Sequence, residues 1–242
     1  NIHFIREVGS GDNPKPLLIS HGWPGSVYEF IDVIDRLAHP ENYGGDAQDG
    51  VTVICPSLPG YGFSDIPPRP IGQVTTAALW DKLMVEVLGF KSYIAQGGDW
   101  GSVVTSLIGL NHSESKGGGC SAIHINMYGL RANAEPETEE EIQWMADTQA
   151  VIQAESAYLQ LQMTKPQTLI YAMQESPVGA AAWILEKFYS WSDIPEHNGR
   201  PDINKRYSSH ALASNLMMYL MTDRFMSAIW YYRGFAEEMP HI

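Results

Sequence analysis

Short apolar runs alternate with longer amphipathic stretches through the first half of this 242-residue chain. Such a rhythm marks β-α-β units, which pair into a mostly parallel sheet with helices on both faces. Residues 3–8, 17–20, 52–55, 93–95 and 122–126 are the predicted strands, and residues 27–38, 74–88 and 101–110 the predicted helices between them. Near-continuous Leu, Ile and Val suit strands covered on both faces. From about Arg131 the pattern changes to long helical stretches without a strand-like run of similar strength. The expected organisation is therefore a sheet-containing core over residues 1–131 and a helical region over 132–242. Within the helical region, the acidic run at 137–141 supplies negative charge to a helix N-terminus. Pro, Gly, Asn and Asp at 192–204 predict a surface loop.

Composition narrows the partners. Hydrophobic residues make up 44% and charged residues 18%, the profile of a folded globular chain rather than a disordered one. A formal net charge of −13 repels phosphate backbones and anionic lipid headgroups, which argues against nucleic acid or a membrane surface and for a neutral or weakly polar small molecule. Cys55 and Cys120 are too few for a disulfide framework and are not spaced as zinc ligands. They read as small buried residues and favour a reducing, cytoplasmic setting. No run approaches the ~18 consecutive apolar residues of a membrane span. Asn1 is not an initiator methionine, which leaves room for an upstream anchor or targeting segment.

Chemistry concentrates in Tyr93-Ile-Ala-Gln-Gly-Gly-Asp99-Trp-Gly-Ser, where an apolar strand meets small residues around one polar side chain and runs into a helix. This is the G-x-nucleophile-x-G layout, with aspartate in the nucleophile position. Gly97 and Gly101 leave the room that a tight strand-to-helix turn requires, and the helix start favours an ionised Asp99. A carboxylate that attacks carbon yields an ester, so the expected chemistry is alkyl transfer. The alternative reading of Asp99 is a helix N-cap in a glycine-rich turn. Upstream, Ile19-Ser-His21-Gly-Trp-Pro-Gly-Ser ends a strand in a His-Gly-x-Pro loop, which makes the amides of Trp23 and Trp100 the candidate oxyanion hole. His21 reads as a structural hydrogen-bonding residue. Pro56-Ser-Leu-Pro-Gly-Tyr-Gly-Phe-Ser-Asp65 is a turn-rich stretch at the edge where open α/β sheets bind ligands.

His21-Gly-Trp-Pro-Gly-Ser, Pro59-Gly-Tyr-Gly-Phe-Ser, Gly97-Gly-Asp-Trp-Gly-Ser and Lys165-Pro-Gln-Thr, with Ser176-Pro-Val-Gly and Trp183-Ile-Leu-Glu-Lys-Phe, together resemble the microsomal-type epoxide hydrolases over nearly the whole chain. The resemblance implies an α/β-hydrolase core carrying a helical cap, which agrees with the change of pattern near Arg131. It also implies two cap tyrosines that hold and help protonate the epoxide oxygen. Tyr158 matches the first. Tyr232 matches the second better than Tyr231 does, because Trp230-Tyr-Tyr-Arg fits the family's aromatic-Tyr-basic pattern in that register. A phenol suits the task because it donates a hydrogen bond and tolerates a developing alkoxide. Trp23, Pro24, Trp100 and Tyr158 are the expected lining of an apolar, aromatic substrate pocket.

The chain departs from the family in two respects. Relatives complete the site with an Asp or Glu and a His that follow the cap, and this sequence reaches only Ile242. His3, His39, His112, His124, His197, His210 and His241 do not lie in a segment resembling the histidine loop, so the acid and base are expected beyond residue 242. The early N-terminal meander of relatives is also missing. For the intact enzyme the reading is attack by Asp99 on the less hindered epoxide carbon, an ester on Asp99, and release of a vicinal diol by a histidine-activated water, with no cofactor or metal. A haloalkane dehalogenase shares the aspartate nucleophile and a following tryptophan, and is the nearest alternative. A catalytically incomplete fragment or binding protein is the alternative from another class. Uncovered sheet edge in such a chain invites self-association, as in a homodimer.

Overall fold

In the computed structural model, which describes residues 1–128, 135–238 and 240, all five apolar runs of the first half pair into one sheet. The strands are β1 (Phe4–Glu7), β2 (Pro16–Ser20), β3 (Thr52–Pro56), β4 (Tyr93–Gly97) and β5 (Cys120–Ile125). Their spatial order is β1-β3-β2-β4-β5. β1 runs antiparallel to β3 and every other pairing is parallel. The inner strand β3 is buried at each of its residues, which is why its sequence reads as an unbroken apolar run rather than an alternation. β5 ends the described sheet, and residues 121–124 along it are exposed.

The predicted helix at 27–38 resolves into a 3-10 turn, Val27–Phe30, leading into α1 (Ile31–Ala38). Ser26 caps the turn by accepting a hydrogen bond from the Tyr28 amide. The next stretch is α2 (Gln73–Lys82) continued by a π turn over Leu83–Val87, and the third is α3 (Trp100–Asn111). Side chains on one face of the sheet, including Leu18, Ile54, Trp80, Ala95 and Val104, form a core that continues into the helical region. On the other face Ile19, Val27, Ile34, Val53 and Cys55 form a smaller cluster.

The second half contributes α4 (Glu139–Glu155), α5 (Ala157–Thr164), α6 (Pro166–Gln174), α7 (Pro177–Ser190), α8 (Ser209–Leu220) and α9 (Phe225–Glu238). α4 opens on a reciprocal capping box between Thr138 and Glu141, the use expected of the acidic run. The loop expected at 192–204 carries a short hairpin, β6 (Glu196–His197) and β7 (Arg200–Pro201), so the second half is not free of strands. Asn198 and Gly199, both at positive φ, form the tight turn that Asn-Gly pairs favour. The expected boundary at Arg131 lies outside the described residues. No helix among the described residues is long and apolar enough to cross a membrane.

α8 and α9 tie this half to the loops after β2 and β3. The Asn215 side-chain amide donates to the Pro24 carbonyl at 2.7 Å, and Ser26 Oγ donates to Asn215 Oδ1 at 2.9 Å. The Tyr61 hydroxyl donates to the Ala228 carbonyl at 3.1 Å. Glu238 accepts from the amides of Gly72, Val74 and Thr75 at the start of α2, satisfying donors that a helix N-terminus leaves open.

Candidate active site

Asp99 stands where β4 turns into α3, with φ 49° and ψ −127°, a conformation that non-glycine residues adopt only when the surroundings enforce it. The turn closes because its neighbours lack side chains. A Cβ on Gly97 would lie 2.0 Å from the Gly101 carbonyl oxygen, and one on Gly101 would lie 2.0 Å from the Ser20 carbonyl oxygen. Asp99 occupies the N-cap position of α3, yet its side chain makes no capping bond. The carboxylate is directed instead at the loop after β2, where the Trp23 amide donates to Oδ1 at 2.8 Å.

That approach depends on Gly22, where a Cβ would fall 2.1 Å from Asp99 Oδ1. The Trp100 amide is a second backbone donor to the carboxylate. Removal from water pushes the Asp99 carboxyl up to about 6, and the two amides oppose a larger rise. The group therefore stays largely ionised at neutral pH. His21 is pinned on both ring nitrogens: Nε2 accepts from the Leu58 amide at 3.0 Å, which leaves Nδ1 to donate to the Gly22 carbonyl at 3.0 Å. Burial lowers it to about 4, so it is a neutral brace of the loop, in keeping with its structural reading.

Across from the carboxylate lies an aromatic cluster. Tyr158, near the start of α5, stacks on the Trp23 indole with centroids 5.3 Å apart and planes 9° from parallel. Tyr232, from α9, meets Trp23 edge-on at 5.6 Å, Trp100 at 4.8 Å and Tyr158 at 5.9 Å. Its neighbour Tyr231 turns away and donates from its hydroxyl to Thr76 Oγ1 at 2.9 Å. Burial, reinforced by the charge on Asp99, holds the Tyr158 and Tyr232 hydroxyls well above the ordinary phenol range. Both are thus protonated hydrogen-bond donors at neutral pH.

The carboxylate opens onto a cavity of about 290 Å³ whose walls include Trp23, Pro24, Glu29, Lys187, Phe188 and Trp191. Trp23 and Pro24 are among its lining residues. Trp100 and Tyr158 are not: the Trp100 ring packs into the cluster against Phe235 at 5.0 Å, and only its backbone amide reaches Asp99. Reading the residues along the chain missed Glu29, Lys187 and Trp191. Glu29 lies in the 3-10 turn after β2, and Lys187 in the 183–188 stretch that carries the family resemblance. Among the described residues, no three His, Cys, Asp or Glu side chains are grouped to hold a metal ion.

Comparison with known proteins adds an independent line. A family model described as alpha/beta hydrolase fold matches residues 15–240. Epoxide hydrolase 1 of Oryctolagus cuniculus is 36% identical over 259 residues, spanning 96% of this chain and 55% of its own length. The crystal structure of juvenile hormone epoxide hydrolase from the silkworm Bombyx mori superposes with a TM-score of 0.78 at 31% identity, over 100% of this chain and 57% of that one. Aspergillus niger epoxide hydrolase gives 0.78 at 28% identity, over 98% and 59%. The chain spans about half the length of the curated relatives it matches.

Proposed function

The chain belongs to the alpha/beta hydrolase fold family, and from that premise we propose that it forms the nucleophile and tyrosine side of an epoxide hydrolase. The observation that carries this reading is an ionised Asp99 carboxylate, held by the Trp23 amide, beside a cluster that includes the Tyr158 and Tyr232 phenols. One carboxylate oxygen attacks the less hindered ring carbon, the ring C–O bond breaks, and the ring oxygen takes a proton from a phenol. The result is a hydroxyalkyl ester on Asp99. Water activated by a histidine outside this sequence then attacks the ester carbonyl, with the amides of Trp23 and Trp100 holding the oxyanion, and a vicinal diol leaves.

In this reading residues 1–131 are the nucleophile-bearing part of the core and 132–242 the cap. The cytoplasm is the compartment we assign, supported by two free, buried cysteines.

The first half-reaction needs only groups present in this chain, so brief exposure to a simple aryl epoxide should add the mass of one epoxide at Asp99. Asp99→Ala should abolish that adduct, and an Asp99→Ala protein modified as fast as the parent would sink the mechanism. One observation favours a second reading, haloalkane dehalogenation: the buried indole N–H of Trp23, which lines the cavity, has no hydrogen-bond partner among the described residues, as a halide site would provide. Halide release from a chloroalkane would support it.

A further inference from the structure

Lys187 has no part in the reaction proposed above, yet it is built into the site. Its side chain is only 5% exposed, and a cation so far from water persists only where partners replace its hydration. Those partners are Glu186, at 2.7 Å, and Glu155, at 3.4 Å. Glu155 is the last residue of α4, three residues before Tyr158, and it also accepts from Ser190 Oγ at 3.4 Å and from Trp191 Nε1 at 3.1 Å. One carboxylate thereby fastens the α4–α5 junction to the end of α7. The Lys187 ammonium itself stands 4.9 Å from the centroid of the Tyr158 ring and 5.3 Å from that of Trp191. Glu186 and Glu155 neutralise the ammonium at longer range, so Tyr158 receives a local contact on its ring rather than a net field.

We propose that Lys187 is a positioning residue for Tyr158. With the Trp23 indole stacked on Tyr158 and the braced ammonium over its ring, the phenol ring is held in one orientation, from which its hydroxyl serves the epoxide-opening step. The inference rests on the epoxide-opening reading of the site. A lysine that served only to tie α4 to α7 would pair with Glu155 and Glu186 without lying over that tyrosine.

Formation of the ester on Asp99 tests this on the whole chain, by mass spectrometry across a range of aryl epoxide concentrations with Asp99→Asn as the blank. Lys187→Met should lower the saturating rate about fivefold while leaving the half-saturating concentration unchanged, and Lys187→Arg should restore most of the rate. In a Tyr158→Phe background Lys187→Met should cost nothing further. An unchanged rate in Lys187→Met, or an equal loss with and without the Tyr158 hydroxyl, overturns the proposal. If Lys187→Met does not fold, Lys187→Gln carries the same comparison with Lys187→Arg. Absence of any adduct on the unsubstituted chain overturns the epoxide-opening reading and this inference with it, whereas an adduct that Lys187→Met forms at the parent's rate overturns this inference alone.

Discussion

Asp99 and the two tyrosines both meet Trp23 but are held by different means. Around Asp99 the holding is done by backbone: the Trp23 amide bonds the carboxylate, and Gly22, Gly97 and Gly101 let three chain segments approach to distances that any side chain would prevent. Around Tyr158 and Tyr232 the holding is done by side chains, through ring contacts with Trp23, Trp100 and Trp191 and through Lys187. Backbone packing tolerates no added atom, whereas a side-chain cluster can lose one polar group and keep its shape. The difference teaches that a single substitution should destroy the first wall but only disarm the second.

Gly101→Ala is the severest test of the contrast. Its Cβ meets the Ser20 carbonyl, which belongs to β2 and cannot rotate aside, so a loss of more than about 4 kcal/mol is expected. The variant should be insoluble or lack a cooperative thermal transition. One that melts within a few degrees of the parent would show that the elbow is not rigid.

On the aromatic wall, Tyr232→Phe should keep the parent's melting temperature and slow ester formation by about 10- to 100-fold. Tyr231→Phe should do the reverse, losing about 1 kcal/mol of stability with its bond to Thr76 and leaving the rate alone. Equal slowing in both variants would break the distinction between these neighbours.

The pH response sharpens the comparison further. Only ionised Asp99 attacks, so ester formation should fall about tenfold per pH unit below about 6 and level off above it. Stability runs the opposite way. A carboxyl whose folded value lies above its unfolded value of ~3.9 contributes most below the unfolded value, and loses that contribution as pH rises through the folded one. Asp99→Asn should therefore gain on the parent between pH 4 and pH 7, by about 1–3 kcal/mol in denaturant titrations. A gain that shrinks with pH would contradict the raised carboxyl.

A modest effect is expected at the tie between the halves. Asn215→Ala gives up the bonds to Pro24 and Ser26 and should cost about 1–2 kcal/mol, read as a lower denaturant midpoint. No change would mean that the loop after β2 is held by its own contacts.

The elbow was legible because everything it needs lies within a few residues. Apolar runs of strand length, glycines at 97 and 101 and the single acid between them all act locally, and the strands fall within two residues of their predicted ends. The hairpin at 196–201 was not legible as strands, since two-residue strands carry no periodicity. The cavity walls at Lys187 and Trp191 were not legible either, because a lysine beside a glutamate on a helix looks the same along the chain whether it faces solvent or a tyrosine.

By itself, then, the amino-acid order determined the alternation of strands and helices, the turn that presents Asp99 and the acidic cap of α4, all of which follow from side-chain size and backbone preference over short spans. Only the tertiary structure decided that Asn215 clamps a loop 191 residues upstream, that Glu155 fastens the end of α4 to Trp191, and that Tyr231 turns to Thr76. Such contacts depend on how whole helices pack over the sheet, and no short stretch of the chain specifies that packing on its own.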